Sequence, residues 1–478
     1  MVSPKLQSRW STIIAVGLLV TSGMLIYANS FSAPFVFDGR DQIELNPALH
    51  ALWPIWAPMQ DTMRPVGWWS FAVNYATCGA NVWGYHATNL TIHLAAALTL
   101  FGIVRRTLSR KPLAAHFGPA ACDLALAVAL LWLVHPLQTQ SVTYIYQRFE
   151  SLMGLFFLLT LYSVIRAQDS ARPAVWYVAS VVCCLLAVMT KEVAAVAPLL
   201  VLWYDRAFVA PSWREIYRRR WGLYSSMGGT WVALAMIVHS QADKLPNAGL
   251  LVVKGVTPLQ YAASQPGVIA HYLRLSLWPT ELCLDYAWPV ADTVAKIVPP
   301  LVLVAAMLAL TAWSIFRWPA WSFLGAWFFL ILAPTSSIVP IVDLAFEHRM
   351  YLPLAAVITG GVIGCYLISP WLLAGRWPIA TRRPYVLTLI SYGLMGAIAM
   401  VLGHLTLKRN LDYRNATTIW GDCVRKSPNN ARAHNNLGIA LADHGQVEEA
   451  FSHFRKAEEI RQELAKDIGT SKVPGHNP

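Results

Sequence analysis

Eleven apolar segments divide the chain, and most of them are close to the length that crosses a bilayer as a helix. Such a helix needs about 20 predominantly apolar residues. The chain is 56% hydrophobic and only 13% charged, whereas soluble proteins carry about 25% charged residues. We therefore predict an all-α polytopic membrane protein of about eleven spans, at residues 11–29, 87–104, 119–135, 142–165, 173–189, 193–204, 221–239, 297–316, 319–333, 352–372 and 385–404.

Short basic loops set the predicted orientation of these spans. Arginines follow the second, fourth, sixth, eighth and tenth spans, and clusters of this kind mark the cytoplasmic side. The cluster after the tenth span consists of Arg376, Arg382 and Arg383. The N-terminus is thus expected inside, and the opposite side should hold residues 30–86, 135–142, 190–192, 240–296, 334–351 and the tail from 408 onward.

Two segments do not follow this simple pattern. The first apolar run could be taken for a secretory signal, but no A-x-A cleavage site follows it, so we predict a retained span. Residues 257–280 are partly apolar, yet a further span there would invert every later basic loop. We predict a re-entrant or amphipathic helix at the outer rim, in a segment of about 257–290.

Polar residues that suit chemistry lie beside the apolar segments, almost all at the predicted outer ends. A polar group at the edge of hydrocarbon is costly and is usually kept for function. Their grouping on one face indicates a reaction or binding chamber. The candidates are Asp38, Asp41, Arg64, His86, His135, Gln147, Arg148, Lys191, Glu192, Arg274, Asp285, Glu347, His348, Arg349 and Tyr351.

These candidates have the chemistry of group transfer. Asp38 follows the first span closely, and a carboxylate there could take a proton from a hydroxyl nucleophile; a solvated acidic loop is the alternative. The arginines suit phosphate, which a guanidinium binds through two parallel hydrogen bonds. His86 shares a helical stripe with Asn89 and His93, for which helix-to-helix hydrogen bonding is the alternative.

A lipid-linked donor fits this chamber better than a nucleotide. The sequence has no GxxxxGK[ST] or suitably placed GxGxxG phosphate loop, and nucleotide sugars are cytoplasmic. A sugar on a polyprenyl phosphate would place its tail between spans and its phosphate at the cations. No other cofactor is predicted with certainty. A divalent cation stays open, because Asp38, Asp41 and Glu44 offer oxygen ligands.

The C-terminal tail, residues 408–470, contains an internal repeat of 34 residues, which is the tetratricopeptide period. We predict one full repeat at 431–464 after a half-repeat; an arbitrary helical hairpin is the alternative. So short an array should pack on the outer domain or on a partner chain. Residues 471–478 are predicted to be disordered. The repeat rests on Ala416, Trp420 and Cys423, which recur as Ala450, Phe454 and Ala457.

A set of motifs runs in a fixed order through almost the whole chain: Phe37-Asp38, Asn46-Pro47, Arg64-Pro65, Trp83-Gly-Tyr85-His86, His135-Pro136, Gln147-Arg148, Lys191-Glu192 and Glu347-His348-Arg349-Met-Tyr351-Leu-Pro353. Together they resemble the GT-C glycosyltransferases, and more specifically the transmembrane and tetratricopeptide-repeat-containing O-mannosyltransferases and their bacterial relatives. The resemblance implies a GT-C-type bundle over residues 1–407. It also implies inverting transfer of a monosaccharide from a polyprenyl phosphate to Ser/Thr hydroxyls.

The resemblance also implies roles for individual residues. Asp38 matches the catalytic acid of the first loop, and His348 and Arg349 would contact the donor phosphate. Many members carry an adjacent acidic pair, but here Gly39 follows Asp38 and the next acid is Asp41. This chain therefore departs from the family pattern in having no second carboxylate adjacent to Asp38.

The leading hypothesis is an enzyme that O-glycosylates exported proteins, with the acceptor docked through the repeats. The basic residues lie largely in short loops, so no nucleic-acid partner is needed to explain them. The signal-free layout and short tail suggest a bacterial inner membrane, with the site and the C-terminus in the periplasm. Two alternatives stay open: transfer to a lipid or cell-wall glycan, and a non-catalytic scaffold. A disulfide between Cys78 and Cys283 on the outer face also stays open.

Overall fold

The computed structural model describes residues 4–54, 56–59, 62–241, 256–374 and 384–470, which form helices and loops with no strand among them. We number the helices in chain order. They are α1 Pro4–Tyr27, α2 Pro65–Cys78, α3 Val82–Leu108, α4 Ala114–Phe117, α5 Ala121–Leu133, α6 Thr139–Val142, α7 Arg148–Ala167, α8 Pro173–Thr190, α9 Ala197–Phe208, α10 Trp213–Ser240, α11 Pro258–Leu277, α12 Val294–Arg317, α13 Pro319–Leu332, α14 Pro353–Ala374, α15 Pro384–Asp412, α16 Ala416–Lys426, α17 Ala431–Asp443 and α18 Val447–Thr470.

The apolar segments of the sequence all coincide with helices, so the predicted all-α membrane class is confirmed. Six described helices are long and apolar enough to cross a membrane, or seven if α5 and the bent segment after it form one span. Others, such as α13, are apolar but shorter. The count of eleven spans stays a prediction, and the basic cluster at 376–383 lies outside the described residues.

Helices α5 and α8 end at the polar motifs His135-Pro136 and Lys191-Glu192, as the sequence predicts. After α5, the side chain of His135 accepts a hydrogen bond from the Leu137 N–H at 3.2 Å, and Pro136 begins a segment bent by 55° from α5. After α8, Lys191 has extended backbone angles, and a short 3-10 turn over Glu192–Val196 leads into α9. Both breaks bring polar groups to the ends of apolar helices.

The centre of the bundle is built on α3, which packs against α5 and α7, while α7 also packs against α8. Helices α11 to α14 pack in succession beside this centre. Two buried tryptophans join α5 and α13 to the residues just before α14. Trp132 of α5 donates to the Tyr351 carbonyl and Trp327 of α13 donates to the Leu352 carbonyl, each at 2.8 Å. The start of α14 is thereby fixed against α5 and α13.

Three of the basic loops meet at one end of the bundle. Arg110, after α3, donates to Asp169, after α7, at 3.2 Å. Arg220 of α10 donates to Asp205 of α9 at 2.7 Å and to Gln168 beside Asp169 at 3.0 Å. The loops after the second, fourth and sixth predicted spans therefore share an end, as the alternation of the spans requires.

The predicted rim segment begins as a regular helix. A capping box between Thr257 and Gln260 starts α11, and α11 packs against α12. Irregular chain follows from Trp278 to Thr293. By length and composition α11 is not among the described helices that could cross a membrane. Its re-entrant or amphipathic character stays a prediction.

The tail forms α16, α17 and α18, so its predicted helices are present. A β-carbon added at Gly438 of α17 would lie 2.6 Å from the Phe454 ring of α18, which shows how closely these helices approach. Gly445 turns the chain between them with φ +77°. The tetratricopeptide assignment stays a prediction, and the tail end predicted to be disordered, 471–478, lies outside the described residues.

The tail packs on the rest of the protein through one buried apolar cluster. The cluster joins residues of the first loop, of the rim segment and of the tail helices, namely Ala33, Val36, Tyr144, Cys283, Leu284, Tyr413, Ile419, Trp420 and Cys423. Outside this core, Arg40 of the first loop pairs with Asp443 of α17 at 2.7 Å. The tail is therefore held against the loops at the end opposite the three basic loops.

Candidate active site around Asp38

Asp38 lies in a tight turn of the first loop and is half-buried. The Tyr144 hydroxyl donates to its Oδ2 at 3.3 Å. The preceding residue, Phe37, has φ +52°, a left-handed conformation that is costly for a non-glycine residue and persists only where the surroundings impose it. Its ring lies 5.3 Å from Trp420 and 6.4 Å from Tyr144. The strained turn thus holds the carboxyl group in place.

The surroundings of Asp38 raise the pKa of its carboxyl group. Burial is the main cause, while the Tyr144 hydrogen bond and the charge of Arg432 lower the pKa, and the negative charges of Asp343 and Asp41 raise it. The net result is a carboxylate more basic than an ordinary aspartate. This suits a general base, whose efficiency increases as its pKa approaches the working pH.

The acidic residues after Asp38 take a different position. Asp41 is exposed on the turn Arg40–Glu44, and Glu44 lies at the end of the same turn. In the part of the chain that the structure describes, no group of three or more His, Cys, Asp or Glu side chains could hold a metal ion. The oxygen site that the sequence left open at Asp38, Asp41 and Glu44 is therefore not formed.

Two ion pairs lie side by side at the junction of α8 and α9. Arg64 binds Glu192 through two hydrogen bonds of 3.1 and 2.7 Å. Lys191 binds Glu150 at 2.6 Å, and both side chains are almost fully buried. Burial alone would raise the pKa of Glu192, but the charge and hydrogen bonds of Arg64 and the charge of Lys191 together outweigh it and lower the pKa to about 2. Both pairs are therefore fixed in geometry by short hydrogen bonds.

Two tyrosines connect Asp38 to these ion pairs. The rings of Tyr144 and Tyr146 lie 6.2 Å apart. Tyr146 interacts electrostatically with Asp38, Arg64 and Glu192, so it is within electrostatic reach of both the carboxylate and the Arg64 pair. Asp38, the tyrosines and the two ion pairs form one site, which we call the Asp38 site.

His348 borders the Asp38 site as a neutral imidazole. Burial lowers the pKa of His348, and the charges of Lys191, Arg349 and Arg64 lower it further. Gln140 Oε1 accepts from both the His348 N–H and Nδ1, while its amide donates to the Leu284 carbonyl. Nδ1 therefore carries the proton, and Nε2 keeps a lone pair. In this state Nε2 does not donate a hydrogen bond to a phosphate.

Glu347 and Arg349, which flank His348, hold two neighbouring loops in place through hydrogen bonds. Glu347 is buried, and its Oε1 accepts from the Tyr286 hydroxyl at 2.7 Å and from the Cys283 N–H at 2.5 Å. Burial raises the pKa of Glu347. Both terminal nitrogens of Arg349 donate to backbone carbonyls, including those of Leu344 at 2.8 Å and Asp343. The predicted phosphate ligand Arg349 thus orders the loop that carries Asp343.

Arg148 lies inside the bundle rather than on the chamber wall. Its side chain is fully buried, and its three nitrogens donate to Asn89 Oδ1 at 2.6 Å and to the carbonyls of Ser70 and Tyr85. Its guanidinium also lies 4.4 Å from the Phe71 ring centroid. These contacts tie α2, α3 and α7 together and leave it little capacity for a substrate.

The other candidates have structural partners of their own. His86 contacts the Ala33 carbonyl at 2.8 Å, and His135 contacts the Ser276 carbonyl at 3.2 Å. The Tyr351 hydroxyl contacts His93 at 3.0 Å. Gln147 is half-buried at the start of α7. Arg274 is exposed and pairs with Glu281. These residues shape the walls and rim, and the structure does not bring their side chains together at Asp38.

Several residues of the Asp38 site were missed by sequence reasoning. Tyr144 and Gln140 lie in a polar stretch between two apolar segments, and that position was a usable signal. Asp343 lies in a loop without a motif. Arg432 lies in the tail, far along the chain from Asp38, and no local pattern could identify it.

Comparison with known proteins agrees with the order of the motifs. No protein-family model matches the chain. It is 24% identical to mouse protein O-mannosyl-transferase TMTC3 over 503 residues, which cover 95% of this chain and 51% of that protein. The human TMTC3 protein is 23% identical, with 95% and 52% covered. This chain resembles the TMTC protein O-mannosyl-transferases. The predicted resemblance is thereby confirmed.

Two further comparisons define the extent of the match. The protein O-mannosyl-transferase F38B6.6 of Caenorhabditis elegans is 22% identical, with 95% of this chain and 64% of that protein covered. The chain spans about half the length of the TMTC3 relatives. Among solved structures, ArnT from Cupriavidus metallidurans bound to undecaprenyl phosphate has a TM-score of 0.44 and 16% identity, covering 97% of this chain and 81% of ArnT.

Proposed function

We propose that the chain is a GT-C-type membrane glycosyltransferase that moves a monosaccharide from a polyprenyl phosphate to Ser/Thr hydroxyls of exported proteins. The observation that carries the proposal is the Asp38 site itself, where a half-buried, basic carboxylate lies beside two fixed ion pairs. The similarity to TMTC protein O-mannosyl-transferases supports the mannosyl class of donor. The basic loops that share the other end of the bundle support a site that opens away from the cytoplasm, which in a bacterial inner membrane is the periplasm.

Asp38 acts as the general base of the transfer. It takes the proton of the acceptor hydroxyl while that oxygen attacks the anomeric carbon of the sugar. The bond from this carbon to the phosphate oxygen breaks, and polyprenyl phosphate leaves with the electron pair. Attack from the side opposite the phosphate inverts the configuration. Because the leaving group is already anionic, the reaction needs little acid catalysis.

Arg64 and Lys191 hold the phosphate of the donor. Glu192 occupies Nε and Nη2 of Arg64, so the Nη1 group remains for a phosphate oxygen. Glu150 occupies one of the three N–H donors of the Lys191 ammonium. Fixed cations stabilise charge that develops on the leaving group without reorganising during the reaction. His348 offers the lone pair of Nε2 as a hydrogen-bond acceptor, and Arg349 supports the neighbouring loop.

A transfer assay tests this proposal. Purified chain in lipid nanodiscs is given a polyprenyl-phosphate mannose carrying a radiolabel, with either a Ser/Thr-rich peptide or a lipid-linked glycan as acceptor. We expect label on the peptide hydroxyls. Label on the glycan alone would mean that the acceptor is a glycan and not a protein hydroxyl. No transfer to any acceptor by folded protein would contradict the proposal and favour a scaffold that recruits partners through its tail.

A further inference from the structure

We infer that Arg432 of the tail is a positioning residue of the Asp38 site, so that the C-terminal helices complete this site. The inference rests on the proposed function of Asp38. The contacts involved are those of the guanidinium with the first loop, the rim segment and the loop before Glu347. A tail that only docked a partner would not need to reach these three segments with one side chain.

The guanidinium of Arg432 is held on two sides by carboxylates. Its Nε and Nη2 donate to the two oxygens of Asp285 at 2.7 and 2.8 Å. Nη2 also donates to Asp343 Oδ1. Asp285 is almost fully buried, whereas Arg432 remains about one third exposed. A fork bound at both ends is an oriented cation with little freedom to move.

The flat face of the same guanidinium lies on the strained turn. Its central carbon is 5.2 Å from the centroid of the Phe37 ring, within the range of a cation–π contact. Trp420 of α16 covers the ring edge-on at 5.3 Å. Two tail residues therefore enclose Phe37, whose left-handed backbone conformation sets the position of the next residue, Asp38.

Arg432 also balances the charge around Asp38. The groups that act on Asp38 are the Tyr144 hydroxyl, Arg432, Asp343 and Asp41, and Tyr146 lies within electrostatic reach. Arg432 supplies the positive charge among them. Loss of this charge would leave several carboxylates close together, and like charges disfavour ionisation. Asp38 would then become harder to deprotonate.

The test compares Arg432→Gln with Arg432→Lys in the full chain, using the pH dependence of mannosyl transfer at saturating donor and acceptor concentrations. We expect Arg432→Gln to lower kcat by on the order of tenfold, because small displacements of a reacting group are costly. Its acid limb should move to higher pH, by about half a unit or more. Arg432→Lys should restore the midpoint of the acid limb but not the full rate, because lysine lacks the fork.

Two further variants separate positioning from simple support of the tail. Arg40→Gln removes the exposed Arg40–Asp443 contact between the same two segments and should leave the midpoint unchanged. Asp343→Asn removes a negative charge and should move the midpoint to lower pH. If Arg432→Gln does not fold, Arg432→Lys decides: a wild-type midpoint with a lowered kcat supports the inference, and a wild-type kcat overturns it.

Failure of the inference is distinguishable from failure of the proposed function. An active wild-type chain whose Arg432→Gln and Asp343→Asn variants keep the wild-type midpoint would overturn the role of Arg432 alone. An inactive wild-type chain would overturn the proposed function, and the inference with it. A lower melting temperature in Arg432→Gln without any change in pH profile or kcat would show a purely structural role.

Discussion

Arg432 and Phe37 are in contact across the interface between the tail and the first loop, with the guanidinium carbon 5.2 Å from the ring centroid. Phe37 directly precedes Asp38, and its turn is enclosed by tail residues. The C-terminal helices are therefore part of the wall around the proposed base.

The Arg64–Glu192 pair should stabilise the fold in a pH-dependent way. The folded-state pKa of Glu192 is about 2, below the value of about 4.3 in an unfolded chain. The stabilisation is thus complete above about pH 4.3 and is lost as pH falls toward 2. Melting curves of wild type and Glu192→Gln should differ at pH 7 and converge only as the pH falls to about 2. Glu281→Gln, in an exposed pair, should show little difference at any pH.

The Lys191–Glu150 pair should show strong coupling in unfolding experiments. Both side chains are buried, so Lys191→Met leaves an uncompensated carboxylate, which costs about 3–5 kcal/mol. The double variant Lys191→Met/Glu150→Gln should regain much of this loss. The exposed pair Lys456–Glu459 is the control, with coupling of at most about 1 kcal/mol. Additive effects of the Lys191 and Glu150 variants would show that the two groups do not meet.

The contact between rim segment and tail should be visible by chemical oxidation. Cys283 and Cys423 lie with their sulfur atoms 3.5 Å apart, whereas Cys78 bonds to the Asn74 carbonyl. The pairing of Cys78 with Cys283 that the sequence left open is therefore replaced by a different neighbour. Diamide, which is reduced as two thiols join, should give a Cys283–Cys423 peptide in mass spectra without reductant.

Two controls belong to the oxidation experiment. Cys423→Ser should lose the cross-linked peptide while the other cysteines remain alkylated. A cross-link between Cys78 and Cys283, or separate alkylation of Cys283 and Cys423 after oxidant treatment, would mean that the tail does not lie on the rim segment as described.

Gly438 should be sensitive to the smallest substitution in the tail. A β-carbon there would lie 2.6 Å from the Phe454 ring and 3.1 Å from the Ala450 carbonyl oxygen, so α17 and α18 must separate. Gly438→Ala should make the tail of the intact chain more susceptible to protease. Gly421→Ala in α16 has open space around the new atom and should be neutral or stabilising by about 0.5–1 kcal/mol. Equal behaviour of the two variants would contradict this helix packing.

Hydropathy and proline allowed the helices to be predicted, because both act locally. The break at His135-Pro136 and the turn at Lys191-Glu192 were visible for the same reason. The partners of Arg148 could not be predicted, because its acceptors come from two other helices. A Gln-Arg pair at the start of a helix has the same sequence whether it faces a substrate or a backbone carbonyl. Local sequence predicts where a polar residue lies along a helix but not which group it meets.

The contribution of the tail could not be predicted because it depends on contacts between distant parts of the chain. Arg40 and Asp443, for example, are 403 positions apart. The repeat pattern predicted that the tail would pack on something, and the structure shows it packed on the loops around Asp38. Which of its side chains reach the site follows only from the docked geometry.

The most direct test of the account is the transfer rate of Asp38→Asn at saturating donor and acceptor. Loss of a general base lowers a rate by about 10²–10⁴-fold, so we expect at least a hundredfold loss with normal expression and melting temperature. Asp443→Asn, an exposed carboxylate in contact with the same loop, is the matched control and should keep its rate. Asp38→Asn with the wild-type rate would contradict the assignment of the base and the site built around it.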